Sequence, residues 1–107
     1  MTLHSDHDLV WIGLAHVAAA PGSEVLAAGK NAFTNVVGRA PSTAAFEAAV
    51  GDACRALGLE VQSLEEIEDY ARRFAGTSIP AEIAEAREEL ERGQEIAFAR
   101  FFAYAVD

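Results

Sequence analysis

The stretch HSDHD, residues 4 to 8, packs two histidines and two aspartates into five positions just ahead of a long apolar run. His4 and His7 stand at i, i+3, with Asp6 and Asp8 between and beside them. Two imidazoles and a carboxylate would suit a divalent ion if the segment formed a turn. A site at a terminus, however, has little structure around it to hold its ligands. His16 is the only other histidine, and no downstream cysteine or histidine stands at partner spacing. The expectation is a flexible, solvated arm over residues 1 to 7, no metal and no cofactor. Metal binding through His4, Asp6 and His7 is the trailing alternative.

Four other polar residues interrupt apolar stretches read as strands: His16, Asn35, Arg100 and Tyr104. They are the candidates for binding a ligand or a partner. A histidine among apolar neighbours can serve as a base or a ligand contact, although a satisfied core histidine is the commoner outcome. Arg100 lies between Phe98 and Phe102, which share its parity in a strand. An unpaired buried charge is untenable, so the guanidinium must reach water, a carboxylate or an anionic group.

No catalytic set accompanies these residues. A phosphate-cradling glycine loop, a nucleophile elbow and a spaced serine, histidine and acid are all missing. Cys54 falls on an apolar helical stripe, where a thiol acts as a small filler. The acids Glu65, Glu66, Glu68 and Asp69 read as a solvated face. No catalytic residue is assigned, and the chain is read as leaning away from an enzyme.

Seventeen acids against eight bases give a net charge of −9, and ten of the acids fall between positions 60 and 91. Such a field repels nucleic acid and anionic membranes. A protein partner, basic if charge selects it, fits better. One cysteine precludes an internal disulfide, and the apolar run from Leu9 to Ala20 is too short to span a bilayer as a helix. The cytoplasm is the expected location.

At 107 residues, 51% of them apolar, the chain is read as a single folded domain. Asp8 to Ala19 is apolar at both parities and predicts a central strand. Residues 21 to 31 form a loop, with a helical turn around Ser23 to Ala28. Residues 32 to 40 form a second strand, pairing antiparallel with the first. Pro41 and Ser42 open a helix whose stripe runs Phe46, Ala49, Val50, Ala53, Cys54, Leu57, with Gly58 ending it. Leu59 to Gln62 is a short strand. Ser63 and Glu66 form a capping box, and Leu64, Ile67, Ala71 and Phe74 are spaced helically, which predicts a helix over 63 to 74. Pro80 starts another helix, ended by Gly93. The final stretch, 95 to 106, is read as a strand in preference to a continuing helix.

This order describes an α+β domain, an antiparallel or mixed four-stranded sheet with helices packed on one face. AFTNVVGRA, the FEAAVGDACRALGLEVQSLEEIEDY run and EIAFARFFAYAV resemble small uncharacterised bacterial α+β proteins. The resemblance implies no function. In it the stretch LEVQSLEEIED reads as strand, against the helix that spacing predicts.

The functional expectation is a non-enzymatic acidic interaction module, immunity-like or an accessory subunit, that binds a protein. Apolar residues on both strand faces exceed what one helical layer covers, which predicts a homo-oligomer, most simply a dimer. The alternative is a small enzyme or ligand-binding domain with a pocket between sheet and helices.

Overall fold

A computed structural model describes residues 9–21, 23 and 30–105. The HSDHD cluster, the arm over residues 1 to 7 and most of the proposed turn at Ser23 to Ala28 lie outside the described residues. The elements in order are β1 (Leu9–Ala19), β2 (Lys30–Ala40), α1 (Thr43–Ala56), β3 (Leu59–Asp69), α2 (Tyr70–Arg73), α3 (Ala81–Glu91), β4 (Ile96–Phe98) and β5 (Phe102–Ala105). All pairings are antiparallel. The sheet runs β3-β1-β2-β4, and β5 follows β4 along the same edge of β2. The α+β architecture therefore stands, with β1 central as its apolar pattern requires.

Helix α1 forms where the stripe places it. The Ser42 hydroxyl accepts from the Ala45 N–H at 3.1 Å, which caps the first turn. Phe46, Val50 and Cys54 are fully buried. They pack on Ala15 and Val17, odd positions of β1, on Ala32 and Val36, even positions of β2, and on Leu59 of β3. Burial pushes the Cys54 thiol up to about 11, against a smaller pull from Arg55. The fold thus favours the neutral thiol. Its contribution to stability is intact below the ordinary value of 9.0 and is lost as pH rises towards about 11. At pH 8 the native protein should react with an aromatic disulfide reagent far more slowly than the denatured chain. Equal rates would show that the thiol is accessible.

The alternate residues form a second core on the opposite face. Ile12, Val37 and Ala97 meet Tyr70 of α2 and Ile83, Ala86 and Leu90 of α3. The helices are thus divided between the faces, α1 on one and α2 with α3 on the other, and not packed on one face of a four-stranded sheet as expected, because both faces of β1 and β2 carry apolar residues and the broken final stretch adds a fifth strand. Since α2 and α3 reach only the Ile12 and Val37 end, half of that second face has no helix over it among the described residues.

The helix expected over 63 to 74 is a strand as far as Asp69, and only Tyr70–Arg73 is helical. The reason lies in two irregularities of the β1–β3 pairing, between Ile12 and Leu14 and between His16 and Val17. Each bulge inserts a residue into β3, so inward positions that would alternate by two become Val61, Leu64 and Ile67, spaced by three. Glu66 takes φ 56° at one of them. A doubly bulged strand thereby counterfeits helical spacing. The supposed capping hydroxyl of Ser63 instead donates to Glu65 Oε2 at 2.9 Å.

The final stretch is strand, as read, but broken at residues 99 to 101. The break separates faces that a continuous strand would join. Phe98 and Phe101 contact each other, centroids 5.5 Å apart, on the α1 side, while Phe102 stacks on Phe33 on the other. Arg100 therefore does not share a strand face with both Phe98 and Phe102.

Candidate functional site

Strand alternation and register define what lies on the uncovered half. Beyond Ile12 and Val37, the next positions on that face are Leu14, His16 and Ala18 of β1 and Asn35, Phe33 and Asn31 of β2. Phe33 is central. Its ring stacks on Phe102 at 5.3 Å with a 22° interplanar angle, and meets His16 at 5.9 Å and Tyr104 at 6.4 Å. Phe33, Phe102 and Tyr104 remain 37%, 39% and 42% exposed, so this cluster is formed at the surface. Contiguous exposed apolar surface of this kind marks interaction sites in soluble proteins.

The structure brings His16, Asn35, Arg100 and Tyr104 around this one patch. His16 is half-buried opposite Phe33, Asn35 pairs with Leu14, and Tyr104 pairs with Asn31. Arg100 is exposed in the break between β4 and β5, its guanidinium 5.9 Å from the Phe102 ring centre. Arg39, Arg55, Arg73, Arg87 and Arg92 each face a carboxylate within the chain. Arg100 faces an aromatic ring. On the β3 side the rim is acidic: Glu65 lies opposite Leu14 and Glu60 opposite Ala18, with Ser63 opposite His16.

Phe33 and Phe102 are the residues of this patch that polar interruptions alone do not reveal. Parity puts Phe33 and Asn35 on one face, but only the landing site of α2 and α3 shows that no described helix covers this half of it.

The chemistry available here is contact and hydrogen bonding. Grooves of about 430, 490 and 390 Å³ surround the turn from Gly93 into β4, bordered by α1 and the end of α3. A fourth, of about 370 Å³, lies at Leu9, Trp11 and Arg72. None of these four includes His16, Asn35, Arg100 or Tyr104. Glu91, at the rim of the region, is held below the usual carboxylate range by hydrogen bonding to Arg87, with Arg39 adding to it. Among the described residues no buried side-chain nitrogen or oxygen lacks a hydrogen-bond partner, and no three of His, Cys, Asp and Glu gather to hold a metal. No helix among them is long and apolar enough to cross a membrane. Compared with protein-family models, with curated proteins and with solved structures, the chain matches none.

Proposed function

We propose that the protein is a non-enzymatic interaction module that binds another protein through the open half of its sheet. The observation that carries the reading is the exposed ring cluster centred on Phe33, flanked by His16, Arg100 and Tyr104. Phenylalanine, tyrosine and arginine are enriched at the cores of protein interfaces, where each offers a large contact area. The rings are preorganised by the strands that carry them, which lowers the entropy cost of docking. A net charge of −9 disfavours nucleic acid and favours basic groups at the partner's edge, beside Glu60 and Glu65. On this reading the protein belongs with small acidic modules of the immunity or accessory-subunit kind, acting in the cytoplasm as a homo-oligomer. A pocket enzyme built on the same four residues has no specific observation in its favour.

Phe33→Asp tests this directly. The side chain is exposed, so stability should change by no more than about 0.5 kcal/mol. The tagged wild-type chain should retain from host extract a protein that this variant, and in part Arg100→Met, fails to retain. An identical retained set from wild type and Phe33→Asp would refute the docking surface.

A further inference from the structure

At a second surface, separate from the Phe33 patch, we infer that the free edge of β4 is a slot for one extended segment of a partner protein, a strand with basic residues on one side and small apolar residues on the other. β4 lies at the end of the sheet order, beside the Val36 to Gly38 stretch of β2, whereas the Phe33 patch lies towards Lys30. Its register decides which backbone groups are engaged. The Arg39 N–H donates to the Glu95 carbonyl at 3.1 Å and the Ala99 N–H to the Asn35 carbonyl at 2.8 Å, so Glu95, Ala97 and Ala99 turn their backbone groups towards β2. Ile96 and Phe98, between them, turn theirs outwards. Among the described residues those outward groups have no backbone partner. An unpaired row of this kind is a template for one more strand.

The helices limit what can add there. α1 packs on the face that carries Ile96 and Phe98, and α3 on the face that carries Ala97. The groove of about 390 Å³ is bounded by both, with Ala53, Ala56 and Leu57 at the end of α1 on one side, Glu89 of α3 on the other, and Ile96 to Phe98 between them. It runs on past Gln94 and Glu95 into the two larger grooves, which follow α1 back through Ala49 to Ala45. From Ala45 to Ala56 the helix rises about 16 Å, the length of about five strand residues. Walls on both faces leave room for a single strand and obstruct a second sheet that carries helices of its own. Edge-to-edge pairing of two copies is therefore disfavoured, and it would also set like carboxylates against each other.

Strand alternation sets the chemistry of the occupant. Side chains on the Ile96 and Phe98 side meet those half-buried residues and the alanines of α1, so small or branched apolar residues fit there. Side chains on the Ala97 side come up beside Glu89, and Glu95 has the same parity as Ala97. Neither carboxylate has an ion-pair partner among the described residues, whereas Asp52, Glu88 and Glu91 nearby each face an arginine. Lysine or arginine at alternate positions of the occupant supplies the missing counter-charge, and the net charge of −9 draws such a segment in.

A blocked hexapeptide of alternating lysine and valine, titrated into the full isotope-labelled chain, tests the inference. It should bind with a dissociation constant of tens to hundreds of micromolar and slow hydrogen exchange at the Ile96 and Phe98 amides, read by NMR. Its glutamate and valine counterpart should do neither. Methylating the peptide nitrogens at one alternate set of residues should weaken binding about ten-fold or more, while the complementary set is tolerated, because only one set faces β4. Attraction of a cation to an acidic surface would treat the two sets alike. Glu89→Gln combined with Glu95→Gln should weaken binding about three- to ten-fold. Ala56→Gln, which puts an exposed side chain into the slot, should weaken it about as much, with Ala48→Gln, exposed elsewhere on α1, as the unaffected control. Phe33→Asp should leave peptide binding unchanged, so the slot and the surface of the proposed function stand or fall separately. Absence of protection at Ile96 and Phe98, equal loss from the two methylated sets, or binding indifferent to Ala56→Gln overturns the inference. Protection of those amides that needs no peptide and rises with protein concentration would make the occupant a second copy, and overturns it as well.

Discussion

Phe46→Ala should destabilise the protein by about 3–5 kcal/mol, a loss comparable to the whole stability of a small domain. Phe46 is fully buried at the centre of the face that α1 covers. Its ring lies against two glycines of the central strands: a Cβ on Gly13 would stand 3.4 Å from the ring, and one on Gly38 3.1 Å. The ring fills a socket made by the absence of side chains. Truncation leaves a void that neither glycine can close, so the transfer loss is joined by a cavity cost. Urea unfolding should show the midpoint falling sharply, or no folded baseline. A loss below about 1 kcal/mol would mean that the helix settles onto the sheet and fills the space.

Gly38→Val approaches the same socket from the sheet and should cost about 1–3 kcal/mol or more through overpacking. A Cβ there would run into Ile96 Cδ1, which can swing aside, but also stands 3.0 Å from the Glu95 carbonyl oxygen and close to Phe46. The Glu95 oxygen accepts from the Arg39 N–H at 3.1 Å, so moving it disturbs the register of β4 on β2. Because Gly38 and Phe46 share one space, their substitutions should not add. Gly38→Ala combined with Phe46→Leu should be less destabilised than the sum of the singles in a denaturant-based double-mutant cycle. Strict additivity would show that the clash with β4 dominates and the ring is a bystander.

Both effects concern the face hidden by α1, whereas Phe33→Asp acts on the other. Under the proposed function, that separation allows binding to be removed without unfolding. The two faces of β1 therefore answer to different tests, stability for Ala15 and Val17, association for His16.

Much of the fold was legible in the residues because local rules and burial agreed there. The α1 stripe of Phe46, Val50 and Cys54, the cap at Ser42 and the stop at Gly58, with φ 74°, follow from helical period and glycine's freedom at positive φ. The apolar run of β1 marks it as central. The four polar candidates, picked as interruptions of apolar stretches, lie around one patch. Three features needed the tertiary structure. Bulges against β1 turned alternation into a spacing of three, which no single strand reveals on its own. The break at Ala99 to Phe101 sent Phe98 and Phe102 to opposite faces, because β4 and β5 must each find register on β2. Last, the exposure of Phe33 depends on where α2 and α3 come to rest. Periodicity fixes which side chains share a face; only packing between distant segments determines how much of that face is covered.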